Sequence, residues 1–265
     1  MSADPRRADR DDWNRHWEAY EPAARINPAQ DFRSRLVIDA LALDRVSGPV
    51  RLLDIGSGQG DFARGLLARF PRAEYVGVDL SHSGVEHSRR KVPVARFFEG
   101  DIQSPLPLPD TYRGWATHVV CAEVLEHLDD PVKALGHVLP WLSRGGRLIV
   151  TVPGGPMSAF DRHIGHRRHY TSGELTRLLT DAGFDLVSAR GAGFPFFNLY
   201  RMAVISQGDK LVRQAGEPGF DERLAPRVAA KIFSGLLRLT TSRAPFGFGW
   251  QLVAEGSCPL EGESR

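Results

Sequence analysis

The sequence predicts an α/β chain: one sheet of seven mostly parallel strands, helices on both of its faces, and a helical insertion before the last strand. Short apolar runs alternate with amphipathic stretches of helical period from Val50 to Ala189, the pattern of strands joined by helical crossovers. A glycine-rich turn links the first run to the first amphipathic stretch. At 265 residues, 42% hydrophobic and 25% charged, the chain is sized for one large core, and neither a disordered nor a fibrous protein has this composition.

In chain order, Met1 to Asp12 is rich in Arg and Asp and reads as a frayed tail without the apolar run of a secretory signal. Trp13 to Tyr20 is too short and polar to fold without a surface beneath it; Trp13, Trp17 and Tyr20 are expected to close a ligand from the N-terminal side or to pack on the sheet. Phe32, Leu36, Val37, Ala40 and Leu41 follow the helical period from Asp31, a candidate cap, to Leu43. Val50–Ile55 reads as a buried strand, and Asp61–Phe70 as a helix with Phe62, Leu66, Leu67 and Phe70 inward. Strands then fall at Tyr75–Val78, Ala95–Phe98, Thr117–Ala122 and Arg147–Val152, with helices at Gly84–Lys91 and Pro131–Leu142. Thr171 with Glu174 three residues on is a capping box for a helix ending before Gly183. Asp185–Ala189 is a sixth strand and Trp250–Ala254 a last one. The expected divisions are a tail with cap helices over 1–44, a core over 45–190, a helical insertion or lid over 191–246, and a last strand with its tail over 247–265.

With 34 basic against 32 acidic residues, a net charge of +2 gives little global attraction for a polyanion, so no nucleic acid partner is expected. Cys121 and Cys258 have no spaced partners, which fits a reducing, cytoplasmic setting. No run reaches the ~18 apolar residues of a spanning helix, so no stable membrane insertion is expected.

The chemistry concentrates in Asp54-Ile55-Gly56-Ser57-Gly58-Gln59-Gly60. A dinucleotide loop wants a small residue five positions after its first glycine, and here that position is Asp61, whose charge would oppose a pyrophosphate. An acidic strand end before the glycines, Asp54, instead suits a cationic ligand. Asp79 ends the next strand, 25 residues beyond Asp54, where a carboxylate can accept both hydroxyls of a ribose. Asp101 is a third carboxylate at a strand end.

Leu52–Gly60, Gly77-Val78-Asp79, Glu99-Gly100-Asp101 and Glu123-Val124-Leu125-Glu126-His127-Leu128 resemble the successive motifs of class I S-adenosylmethionine-dependent methyltransferases over about residues 45 to 190, and among these the small-molecule enzymes of the ubiquinone-biosynthesis type. The resemblance implies a Rossmann-like sheet whose sixth and seventh strands form an antiparallel hairpin, and S-adenosylmethionine as cofactor. It implies that Asp54, Gly56, Ser57, Gly58 and Gly60 form the turn around the methionine part and that Asp79 with Leu80 holds the ribose. Asp101 with Ile102 would read the adenine, and Glu123 would begin the substrate-facing loop.

For the acceptor, the richest cluster is Asp161-Arg162-His163-Ile164-Gly165-His166-Arg167-Arg168-His169-Tyr170, after the fifth strand. His163 or His166 is expected as base or substrate ligand, Arg167 or Arg168 as partner of an anionic group, and Tyr170 as a wall; the resemblance to the ubiquinone-biosynthesis type implies that His127 contacts the acceptor while Glu126 packs structurally. The expected reaction is in-line methyl transfer to a small, aromatic or amphiphilic metabolite, at oxygen in preference to nitrogen or carbon. No metal is expected. The Glu-x-x-Glu-His pattern is also similar to that of small-RNA 2′-O-methyltransferases, so Glu123, Glu126 and His127 with His163 or His166 offer an alternative metal site. Further alternatives are cyclisation by a same-fold enzyme and a cofactor-binding partner protein. The apolar insertion, with Phe194, Phe196, Phe197, Leu199, Tyr200 and Met202, then Ile232, Phe233, Leu236 and Leu237, reads as a lid, a homodimer surface or a membrane contact flanked by Lys231, Arg238 and Arg243.

Overall fold

The computed structural model describes residues 27–214, 224–240 and 248–260. The expectations for Met1–Asp12, Trp13, Trp17, Tyr20 and Arg243 lie outside the described residues. The first described helix, α1 (Pro28–Leu41), starts earlier than the sequence suggested: Asn27, not Asp31, is its cap, and Asn27 Oδ1 accepts from Ala29 N at 3.0 Å, with Pro28 opening the helix.

The strand and helix alternation follows as β1 (Arg51–Ile55), α2 (Asp61–Arg69), β2 (Glu74–Asp79), α3 (His82–Lys91), β3 (Arg96–Glu99), β4 (Ala116–Ala122), α4 (Pro131–Val138), β5 (Leu142–Pro153), α5 (Ala159–His163), α6 (Ser172–Asp181) and β6 (Asp185–Ala192). The insertion contributes α7 (Phe196–Gln214) and α8 (Leu224–Arg238), and β7 (Gln251–Ser257) returns to the sheet. The sheet order is β3-β2-β1-β4-β5-β7-β6. All pairs are parallel except those of β7, which lies antiparallel between β5 and β6. The Thr171 capping box is formed at the head of α6. β5 starts at Leu142 rather than Arg147, because the chain already pairs with Ala116 of β4 there.

Alternation along each strand builds two cores. Leu53, Val119, Leu148 and Val150 point into one, while Leu52, Val120 and Ile149 point into the other, as a sheet covered on both faces requires. The second core also takes in Phe32 and Leu36 of α1, Phe197 of α7 and Leu237 of α8. The Phe32 and Phe197 rings lie 5.2 Å apart. The inner faces of the insertion are therefore part of the same core as α1.

Strand order reverses between β1 and its two neighbours, β2 and β4. At such a point the crossovers leave to opposite faces and open a crevice at the carboxyl ends of the strands. The glycine turn after β1 and the Glu123–Leu128 segment after β4 flank that crevice.

Candidate active site

The turn after β1 runs through Gly56, Gly58 and Gly60 at φ of +76°, +54° and +76°, values that side chains disfavour. At Gly56 space is limiting too: a Cβ would lie 2.3 Å from Val124 Cγ2. Backbone donors of Gly56 and Ser57 reach the Val78 carbonyl at 2.8 and 3.1 Å, and Ser88 Oγ donates to the Gly58 carbonyl at 2.8 Å. Ser57 Oγ is buried without a hydrogen-bond partner and lines the crevice. Asp54 also lines it, at only 3% exposure, and accepts a hydrogen bond from the Tyr75 hydroxyl. Burial raises its carboxyl to about 7, with the Tyr75 bond opposing and the Asp79 charge adding to the rise.

Asp79 is 8% exposed. Its Oδ2 accepts from Gly58 N at 2.7 Å and its Oδ1 from Ser81 N at 2.8 Å, so one carboxylate both shapes the turn and faces the cleft. That cleft continues along Leu80, Asp101, Ile102, Val124 and Leu128. Asp101 Oδ1 is fixed by Gln103 N at 2.8 Å. A carboxylate with spare lone pairs beside a slot of aliphatic side chains fits a nucleoside: hydroxyls on Asp79, a flat base between Leu80 and Ile102.

A second, wider cleft shares Gly56, Glu123 and His127 with the first and extends to Arg33 of α1, Phe160, His166, and Tyr200 and Arg201 of α7. Glu123 sits at φ +58°, a conformation that costs ~1–3 kcal/mol away from glycine. It is held there by Gln251 Nε2 at 2.7 Å, Thr151 Oγ1 at 3.2 Å and an ion pair with Arg33 Nη2 at 2.9 Å.

Glu126 is 0% exposed, and neither of its carboxylate oxygens has a hydrogen-bond partner. Burial, reinforced by the Glu123 charge, pushes its carboxyl well above the usual range. Its Oε1 lies 4.0 Å from His127 Nε2, and the His127 and His166 rings meet edge-on at 4.7 Å. One donor atom from each of Glu126, His127 and His166 falls within 4.8 Å of the others, as does a trio from Asp161, His166 and His169. Asp161, 1% exposed, is gripped by Arg201 Nη1 and Nη2 at 3.0 and 2.7 Å and by the amide and hydroxyl of Ser158 at 2.6 and 2.7 Å. Burial alone would raise the Asp161 carboxyl, but the Arg201 bonds and charge with the Ser158 donors hold it well below its usual value. Burial pulls His166 and His169 down, so both imidazoles are neutral near pH 7.

A model of a methyltransferase domain matches residues 15–189. The chain belongs to the methyltransferase-domain family. The cofactor of this family is S-adenosylmethionine, and the buried anionic turn with its nucleoside slot fits it. The chain is 38% identical over 135 residues to the demethylmenaquinone methyltransferase of Thermus thermophilus, covering 49% of this chain and 59% of that one. It is 32% identical over 124 residues to the trans-aconitate 2-methyltransferase of Rhodopseudomonas palustris, covering 47% of this chain and 46% of the relative. The chain thus spans about half the length of the curated relatives it matches. Among solved structures, the methyltransferase in complex with the Haloferax volcanii Trm112 activator is similar in fold, with a TM-score of 0.62 at 18% identity over 95% of this chain and 99% of that one.

Within this methyltransferase domain, Asp54, Gly56, Ser57, Gly58, Asp79, Leu80, Asp101, Ile102 and Glu123 all line the two clefts. Gly60 does not; it opens α2, and a Cβ there would press on Ser88. His127 and His166 line the wider cleft, whereas His163 is exposed at the end of α5 and lines neither cleft. Arg167 pairs with Asp129 at 2.8 Å and Arg168 Nη2 donates to the Asp129 carbonyl at 3.1 Å, so both brace the loop after β4. Tyr170 is a correction: its hydroxyl donates to the Leu125 carbonyl at 3.0 Å inside the core, because the short bridge between Gly154 and Tyr170 turns the ring inward. Arg33, Phe160 and Arg201 were missed. For Arg201 a signal exists in the sequence: a single cation within the apolar run Phe194–Ile205 marks a buried ion pair. Among the described residues, no helix is long and apolar enough to cross a membrane.

Proposed function

We propose that this chain transfers the methyl group of S-adenosylmethionine to an oxygen of a small aromatic or amphiphilic metabolite, with His166 receiving the acceptor's proton. The observation that carries the reading is the cleft that runs on from the glycine turn, walled by Phe62, Phe160, Ile164 and Val204, carrying Arg33 and Arg201, with the His166 imidazole on its lining. When bound, the cofactor supplies an electrophilic methyl on a sulfonium. Gly56, Ser57 and Gly58 allow close approach, Asp54 opposes its positive charge, and the apolar walls keep water from competing with the acceptor. An alcohol or phenol must lose its proton as it attacks; burial weakens the His166 imidazole as a base, and the Asp161 carboxylate 4.0 Å from its Nδ1 offsets part of that loss.

The test is an acceptor panel with the cofactor, read by mass spectrometry: the product gains one CH2 and S-adenosylhomocysteine accumulates. Product of unchanged mass supports cyclisation, and cofactor binding without turnover across the panel supports a partner protein. In the variants, His166→Ala should lose turnover with cofactor affinity intact, while His163→Ala should keep it.

A second reading rests on Glu126: a buried carboxylate with two unsatisfied oxygens beside two imidazoles is a donor set for a divalent ion. Activity that survives EDTA supports the metal-free mechanism, and loss restored by magnesium or manganese supports the metal.

A further inference from the structure

Helix α8 is apolar on two opposite sides. Its inner side enters the core: Leu237 is buried, and the Phe233 ring meets that of Tyr200 of α7 edge-on at 5.4 Å. Its outer side carries Val228, Ile232 and, in the turn that runs on past Arg238, Leu239, which are 46%, 58% and 70% exposed. At about 100° per residue these three fall within about 40° of one another, on the side away from Leu237. A surface helix ordinarily turns polar side chains outward, so a continuous apolar stripe there marks a contact surface. Leu199 and Met202 of the neighbouring α7 are exposed as well.

The charges point to what covers the stripe. Arg227, Lys231 and Arg238 are exposed, and the same rotation places all three on one flank, within about 40° of one another and about 100° round from the stripe. Leu224–Arg238 contains no Asp or Glu, although the whole chain is nearly neutral at +2. Apolar residues beside a row of cations suit a helix lying in the headgroup region of an anionic bilayer: hydrocarbon takes the aliphatic side chains, and the long Arg and Lys stems hold their charges at the headgroups. A second copy packed antiparallel across a two-fold axis would instead bring both sets of cations to one rim, where they repel.

We propose that the outer side of α8, with the exposed residues of α7 beside it, docks this chain on anionic lipid surfaces as a peripheral contact that does not span the bilayer. Helix α7 also gives Tyr200, Arg201 and Val204 to the wider cleft, so the helix pair that docks supplies one wall of that cleft. Docking requires neither cofactor nor acceptor, and it is tested separately from the function proposed above.

The experiment is flotation of the full chain, without cofactor or acceptor, on vesicles of phosphatidylcholine alone and of phosphatidylcholine with phosphatidylserine. Wild type should float with the mixed vesicles, stay behind with phosphatidylcholine alone, and be released by added salt. Each cation at the surface is worth roughly fivefold in affinity, or about 1 kcal/mol. The combined variant Arg227→Gln, Lys231→Gln and Arg238→Gln should therefore bind on the order of 10²-fold more weakly. Ile232→Ser should weaken binding too, through the lost apolar area. Arg72→Glu, at an exposed cation between α2 and β2, should float as wild type does. All of these change exposed side chains, so melting temperature and S-adenosylhomocysteine affinity should stay as in wild type. Wild type that floats with neither vesicle, or equally with both, overturns the proposal without any variant. So does a combined variant or an Ile232→Ser chain that floats as wild type does, or an Arg72→Glu chain that loses as much as the combined variant. A chain that does not float, is a dimer by light scattering and becomes monomeric in Ile232→Glu has a second copy on the stripe, which also overturns it.

Discussion

The buried carboxylate of Asp54 should make cofactor binding depend on pH. Its group titrates at about 7, raised first by burial, and it lines the cleft where the cationic methionine end is expected. Only the ionised form opposes the ligand's positive charge. With a pKa near 7, the ionised fraction falls from ~0.9 at pH 8 to ~0.1 at pH 6, which weakens binding by about tenfold, or ~1.4 kcal/mol. The sign for folding runs the other way. A carboxyl whose folded pKa lies above its unfolded value of 3.8 stabilises the empty protein in acid, and that contribution is lost as pH rises through about 7. Calorimetric titration of S-adenosylmethionine at pH 6, 7 and 8 reads the first effect. Asp54→Asn is the control, since its amide oxygen still accepts from Tyr75 and it carries no titration; it should bind weakly and with a flatter profile. A wild-type affinity independent of pH, or an Asp54→Asn profile as steep as wild type, would refute the placement of the cation beside Asp54.

Asp79→Ala should weaken S-adenosylhomocysteine binding by ~1.5–3 kcal/mol, or roughly 10- to 160-fold, and an unchanged dissociation constant would remove the ribose from that carboxylate. Gly56→Ala places a Cβ 2.3 Å from Val124 Cγ2 at φ +76°, so it should lower the melting temperature and cofactor affinity together. Adding Val124→Ala should recover part of the loss, and no recovery would mean that backbone strain, not the clash, dominates. Arg201→Leu leaves the Asp161 charge buried and unpaired, for a loss of ~3–5 kcal/mol in denaturant unfolding near neutral pH. Asp161 has a lowered folded pKa, so its contribution is present above the unfolded value and lost as pH falls; the gap between variant and wild type should narrow in acid. A loss below ~1 kcal/mol would mean that the pair is not held as the structure has it.

The glycine-turn side of the candidate site was legible along the chain because its carboxylates lie at or just after strand ends. Periodicity locates strand ends, so Asp54, Asp79, Asp101 and Glu123 could be placed by pattern alone, and the glycines between Asp54 and Asp61 excluded a dinucleotide loop by one charge. The histidine side was legible only as a cluster. His163, His166 and His169 are equivalent by composition, and only the fold leaves the first exposed at the end of α5 and the other two half-buried in the loop beyond it. Tyr170 faced the core because the loop bridges back to Gly154.

By itself, then, the sequence determined the α/β class and the placing of the glycine turn and its carboxylates at strand ends, because those follow from local periodicity and from residues close together in the chain, and the cofactor followed from the resemblance of those motifs to a family. Only the tertiary structure decided that Arg201 meets Asp161 across 40 positions and that Arg33 meets Glu123. The partners of a buried ion pair depend on which groups the packed core brings face to face, and no spacing rule encodes that.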